Sequence, residues 1–527
     1  MMKKGPIAVS ILLAALGTAA GKTPENLIID SHGAGELSET DAANRPVLSG
    51  SEQILNSPGG HFKIHWTDSG SDSVSYAYAL SIAIAADSSW QVQCNEMGFF
   101  QPPPDNGIGG DDLYDIYIVS LSGEVTGYTS CFGEYHPPDS THDCSASYIV
   151  VHSSIPDADQ RNCVVAHEFQ HAIQISYDYN EAGWFMENCA VWMTEMVYPD
   201  ADDYLGIISS GDNALRTPWL DIRSYSHGGF PWAWMMWDRW GYESVRSVWE
   251  YCASEGGNNM FGAHESMFTD HGITFEEFFM DYGAWRWFTA DNWFDGCGMY
   301  NPEASTWLPG PVVLPCHDVT SLPFTGDQTA DSPPERYGIH WIRVDLSNYQ
   351  DNWIMMNFNG RDYFEWNMGV IMQNLSGQLY FEWFDCDPST GDLELVLEAN
   401  GWDYFIYFPA FMDITSLDHL YEISILLNNG IEGSSVVEDQ LNLRVSSNPM
   451  PARGSVTFSL PESGSVLLQI YDLSGRKAAT IVHGEMDAGI HTVPLDVPDL
   501  SPGTYFVVLF SGDSMAGERV VILRNEP

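Results

Sequence analysis

Residues 163–171 read Cys-Val-Val-Ala-His-Glu-Phe-Gln-His and contain the HExxH pattern His167-Glu168-Phe169-Gln170-His171. On an α-helix, His167 and His171 are one turn apart and project from the same face. Two neutral imidazoles so placed can hold one Zn²⁺. Glu168 follows the first ligand directly and falls beside the metal rather than on it, where a general base for a hydrolytic water belongs. No Pro or Gly interrupts Cys163 to Ile175, and Val164, Ala172, Ile173 and Ile175 supply apolar surface, so a helix is expected.

A second uninterrupted run, Trp184 to Tyr198, ends at Pro199. The link from Asp178 to Gly183 is short enough to force an antiparallel helix pair. Glu187 then returns opposite the two histidines as a third ligand, leaving a fourth position open, as in a catalytic zinc site. Glu195 lies roughly 80° further round the same helix at about 100° per residue. It is the other candidate, as ligand or as a carboxylate orienting a histidine. The bland alternative makes both glutamates solvated.

These two stretches resemble the gluzincin metallopeptidases, and most closely the Myxococcus-type group of secreted metalloproteases. In that group an "HEF-x-HAIQ" helix precedes a "W-x-x-E-x-x-A-x-W-M" helix. The matching segments here are His167–Gln174 and Trp184–Met193. The likeness runs from about His61 to about Pro309. It implies a zincin-like catalytic domain with His167, His171 and Glu187 as metal ligands and Glu168 as the base.

Charge narrows the function classes. The chain of 527 residues carries 20 Lys+Arg against 72 Asp+Glu, a net charge of −52. Phosphate backbones would be repelled, so nucleic acid is excluded as a partner, and an anionic membrane surface is disfavoured. The acidic clusters Asp111-Asp112 and Asp200 to Asp203 are candidate Ca²⁺ ligands, with solvated faces as the plainer reading.

Met-Met-Lys-Lys, then an apolar Ile7–Leu16, then small residues read as a secretory signal peptide over 1–20. Its apolar run is too short to span a membrane, and no integral membrane segment is expected after its removal. Nine cysteines in an exported chain suggest disulfides. Cys131–Cys144 and Cys297–Cys316 pair near neighbours. Cys163–Cys189 would staple the two helices, unless both are simply small buried residues.

Along the chain, 21–60 reads as a linker or pro-segment and 61–316 as the metallopeptidase domain. His61–Trp66, Tyr114–Leu121 and Tyr148–His152 read as strands, Ser71–Asn95 as a helix. In Ser224-Tyr225-Ser226-His227-Gly228-Gly229, Tyr225 or His227 could stabilise a tetrahedral oxyanion, although each alone reads more simply as a loop residue. Trp232, Trp234, Trp237 and Trp240 read as core of a following helix. Past a Pro-rich change near 309–334, alternating strands with Asn-Gly turns suggest a β-sandwich over 317–435.

The last stretch, 440–527, reads as a small Ig-like β-sandwich. It carries Asn448-Pro449, Ile470–Arg476, Ala488–Asp496 and Leu500–Val507. In that order they resemble the type A C-terminal sorting domain of the type IX secretion pathway. The resemblance implies the type IX machinery as a partner and a place outside, or on the outer surface of, a Gram-negative-type bacterium.

The whole is expected to be a multidomain α+β protein. The function expected is a secreted zinc-dependent endopeptidase acting on extracellular proteins or peptides through Glu168 and a metal-activated water. The alternative is a non-catalytic surface or adhesion module with a structural or vestigial metal site. An aminopeptidase is disfavoured, because no amine-anchoring acidic motif precedes the zinc helix.

Overall fold

The computed structural model describes residues 10–14, 45–123, 125–131, 142–209, 211–255, 258–289, 292–293, 315–327, 332–413, 420–428, 441–445, 450, 453–472, 477–497, 500–511 and 514–522. The chain is a multidomain mixture of helices and β-sheets. It divides into two compact units, Met1–Leu314 with Pro334–Ile339, and Pro315–Pro333 with His340–Pro527.

The first unit is built on one sheet: β1 (Ser10–Ala14), β2 (Gln53–Asn56), β3 (Phe62–Trp66), β4 (Tyr114–Val119), β5 (Val125–Cys131) and β6 (Ser147–His152). Their spatial order is β1-β5-β6-β4-β3-β2. β3, β4 and β6 run parallel, because helix α1 (Tyr76–Trp90) carries the chain back between β3 and β4. β5 turns back antiparallel on β6. β3 and all but the last residue of β4 and β6 are buried at consecutive positions rather than at alternate ones, as for a sheet covered on both faces.

Seven further helices follow: α2 (Ala158–Tyr177), α3 (Gly183–Val197), α4 (Tyr204–Ser209), α5 (Pro231–Trp240), α6 (Tyr242–Glu255), α7 (Met260–Asp270) and α8 (Phe275–Trp287). Asp157 caps α2 by accepting from the Gln160 amide at 2.9 Å. Phe169 seats α2 on the sheet, its ring 5.2 Å from Phe62 and 6.1 Å from Tyr114. Trp232 and Trp234 are core, as expected; Trp237 and Trp240 are half-buried.

Three expectations change here. Residues 45–60 are not linker: they supply β2 and the buried Arg45, which ion-pairs with Asp105 and Asp115. β5 was not foreseen, because Gly127 and the polar Thr126, Thr129 and Ser130 break the apolar alternation of its sequence. The bridges Cys131–Cys144 and Cys163–Cys189 do not form; Cys163 and Cys189 are small buried thiols, the bland reading. Cys297 lies outside the described residues.

In the second unit, Leu379–Asp385, Trp366–Gln373, Tyr404–Phe411, Ile342–Asp345 and His317–Val319 lie side by side in that order. Asp392–Glu398, Trp353–Asn359, Glu422–Asn428 and Phe324–Asp327 form another sheet. Ile342, Val344, Met368, Phe405 and Tyr407 of the first meet Ile354, Met356, Phe358, Leu395 and Ile423 of the second in one core. The C-terminal strands repeat the arrangement on a smaller scale, with Val456, Phe458, Leu468, Ile470, Val507 and Leu509 inside.

Arg45 also donates to the Tyr117 hydroxyl at 3.1 Å, and Asp115 meets His65 Nε2 at 2.7 Å. Removing the guanidinium strands two buried carboxylates. Arg45→Met is therefore expected to cost about 3–5 kcal/mol of stability, read as a lowered urea midpoint of the first unit's transition.

Candidate metal centre

α2 and α3 are joined by a turn too short for any arrangement but antiparallel. The pairing brings His167 and His171 of α2 against Glu187 of α3. Glu187 Oε2 stands 3.3 Å from His167 Nε2 and 3.7 Å from His171 Nε2. The two imidazole Nε2 atoms are 3.0 Å apart. One ligating atom from each of the three residues lies within 4.8 Å of the others. Among the described residues no second group of this kind forms, and Asp111 pairs with Lys63 at 2.7 Å.

The donor set suits a divalent metal. Glu187 Oε2 is buried among imidazole nitrogens yet makes no hydrogen bond. Burial alone would raise its pKa, but His227 and His171 outweigh that and hold the carboxylate well below its usual range. Burial pushes His167 down to about 3, so its ring is neutral, the form that ligates. An anionic oxygen and two imidazoles converging on one point are what Zn²⁺ accepts.

His171 is oriented by Gln174, whose Oε1 lies 2.8 Å from Nδ1. Glu195 is buried on α3 outside this grouping, so Glu187 is the carboxylate that meets the two imidazoles.

Glu168 is fully buried on the neighbouring face of α2. Its Oε2 accepts from Thr129 Oγ1 at 2.8 Å, and the same hydroxyl lies 2.8 Å from the Glu168 carbonyl oxygen. Oε1 makes no hydrogen bond. Burial pushes the carboxyl up to about 8. Thr129 sits on β5, and Gly127 of that strand lets α2 approach: a Cβ there would stand 2.8 Å from Val164 Cγ1 and 3.2 Å from Glu168 Cγ. Neither Thr129 nor Gln174 was singled out by the sequence. Gln174 stood in plain view one turn past His171; Thr129 gave no signal once β5 was missed.

The two oxyanion candidates part company. His227 reaches the site: its Nε2 is 3.0 Å from Glu187 Oε2, and its ring stacks on His167 at 5.3 Å. The turn that delivers it, Ser226–Gly229, starts with Ser226 at φ +47 and presses on α3 at Gly229, where a Cβ would lie 2.1 Å from Asn188 Oδ1. Tyr225 does not reach it. Its buried hydroxyl donates to the Thr217 and Leu220 carbonyls, at 2.7 and 3.1 Å, which makes it a clasp for its own loop.

Residues 59–368 match the model described as Family of unknown function (DUF6055). Residues 448–523 match the Secretion system C-terminal sorting domain, so the chain is secreted or attached to the cell surface, as its tail led us to expect. Among the described residues no helix is long and apolar enough to cross a membrane. No curated protein matches in sequence. Solved structures with partial similarity include a β-glucuronidase from Ruminococcus gnavus, at 9% identity and TM-score 0.12, with 35% of each chain covered. The adhesin domain of Epf from Streptococcus pyogenes gives 8% identity and TM-score 0.14, covering 40% of this chain and 75% of that one. Scores this low do not amount to a shared fold.

Thr129→Val keeps the shape of β5 and deletes the hydroxyl. It leaves a buried Glu168 oxygen without a donor and is expected to lower stability by about 1–3 kcal/mol in urea denaturation.

Proposed function

We infer a function from the site itself, because this chain belongs to the family of unknown function DUF6055, whose description assigns no activity. The reading is a secreted zinc-dependent endopeptidase with a zincin-like catalytic domain. His167, His171 and Glu187 hold the metal. A bound Zn²⁺ supplies Lewis acidity, lowering the pKa of water toward about 7 and polarising a carbonyl.

The rest of the work belongs to side chains of this protein. The observation that carries the reading is Glu168, buried beside the ligands with one carboxylate oxygen tied to Thr129 and the other making no hydrogen bond. Oε1 is the atom that takes a proton from the attacking water and passes it to the leaving amine. A merely structural metal would need no such group. The proton affinity that burial gives Glu168 falls when a cation binds nearby, leaving the carboxylate ionised to act as a base.

His227 lies on the rim of the same point and donates to the oxygen that gains charge as the carbonyl becomes tetrahedral. Substrates are extended protein or peptide segments. Support comes from β5, whose outer edge pairs antiparallel with Ser10–Ala14, part of the stretch read as a removable signal peptide, with Thr129 opposite Ile11. That edge can equally pair with the backbone of another chain.

The second reading, a non-catalytic surface module with a structural metal, draws on His227. A fourth side-chain ligand would close the coordination sphere as structural zinc sites do. The two part on one variant. Glu168→Gln is expected to retain zinc by metal analysis and to lose casein hydrolysis at least about a hundredfold. Undiminished turnover in that variant would overturn the peptidase reading. His227→Ala is expected to keep zinc while kcat drops about 100-fold to 1,000-fold. Loss of zinc from His227→Ala would favour the structural site.

A further inference from the structure

Gln174 is wholly buried one turn beyond His171 and makes two hydrogen bonds, in opposite directions. Its amide nitrogen donates to the Met186 carbonyl at 2.9 Å. Its Oε1 faces His171 Nδ1 at 2.8 Å. The assignment of oxygen and nitrogen follows from the partners. A backbone carbonyl can only accept, so the amide nitrogen must point at Met186 and the oxygen at the ring. An acceptor against Nδ1 requires a proton there. The neutral imidazole then carries its lone pair on Nε2, the atom directed at His167 and Glu187.

The far end of this bridge matters equally. Met186 directly precedes Glu187. One amide therefore joins the ring of the second histidine to the backbone that bears the carboxylate ligand, across the gap between α2 and α3.

We propose that Gln174 is the positioning residue of this centre: it holds His171 in the Nδ1–H tautomer and locks that ring to the helix carrying Glu187, and so sets the affinity for a divalent metal. The inference rests on the metal-binding reading of the site. It assigns Gln174 no contact with substrate and no proton in the reaction.

The test measures Zn²⁺ affinity of the full chain by competition with a chromogenic chelator, for wild type, Gln174→Leu and Gln174→Glu. Leucine fills the space without either hydrogen bond; its affinity is expected to fall about 10–100-fold. Glutamate restores an acceptor for Nδ1 while losing the donor to Met186, and is expected to recover part of that loss, the tautomer's share without the interhelical lock. Thermal melts of the chelator-treated proteins report the packing cost separately; both variants lose the Met186 bond, and the glutamate, which also buries a carboxyl group against that carbonyl, is expected to melt lower.

A Leu variant that binds zinc as wild type does, or Leu and Glu variants that lose affinity equally, would overturn the positioning role and leave the metal site standing. A wild-type chain that binds no zinc would overturn both. If the variants do not fold, nitrogen-resolved NMR of the metal-free wild type still decides: an Nε2–H tautomer at His171 contradicts the proposal, and Nδ1–H supports it.

Discussion

Everything at the candidate site depends on the antiparallel pairing of Ala158–Tyr177 with Gly183–Val197. Each helix alone carries an incomplete set of polar groups on a largely apolar surface. Paired, they bring a carboxylate oxygen within 4 Å of two imidazole nitrogens. The short turn between them sets direction, and the Gln174 amide sets register. Apolar packing of Phe169 on the sheet fixes the height of α2 above the strands. A displacement of either helix by a fraction of a turn would separate the three groups, because side-chain direction changes by about 100° per residue.

Burying such a cluster is costly in electrostatic terms. Two imidazoles and the Glu168 carboxylate are almost wholly withdrawn from water, and Glu187 largely so, and desolvation of isolated charges costs several kcal/mol each. The protein offsets part of this locally. Thr129 donates to Glu168, Gln174 accepts from His171, and Glu187 is held ionised by the nearby histidines. Two carboxylate oxygens, Oε1 of Glu168 and Oε2 of Glu187, remain without hydrogen bonds. A positive charge bound between the helices would satisfy the second directly and lower the proton affinity of the first. The buried network is thus easier to rationalise as a cation-binding device than as a stabilising one.

Among the described residues the remaining modules bring no comparable cluster together. The two-sheet body after residue 315 closes on an ordinary apolar core, and the C-terminal strands do the same. The latter form the sorting domain, an address that takes the chain out of the cell. A net charge of −52 accords with that destination. Such a surface repels phosphate and stays soluble through self-repulsion.

Much was legible without coordinates. His167, Glu168 and His171 are readable because helical periodicity converts spacing into direction, and Pro199 and the short link make the next helix return. The sorting tail and the strand alternation are readable for the same reason: each is a local pattern. Tertiary packing alone decided the rest. Glu187 and Glu195 sit on one helix with similar surroundings in sequence, and only the crossing of the two helices sends the first toward the histidines. Tyr225 and His227 are near neighbours, yet the left-handed Ser226 and the close approach at Gly229 aim one ring at the site while the other clasps its own loop. Thr129 reaches Glu168 from a strand that glycine had hidden. What sequence determined by itself was which groups share a helix face; which partners meet across space was decided by the packing of elements far apart in the chain, since no local period records that distance.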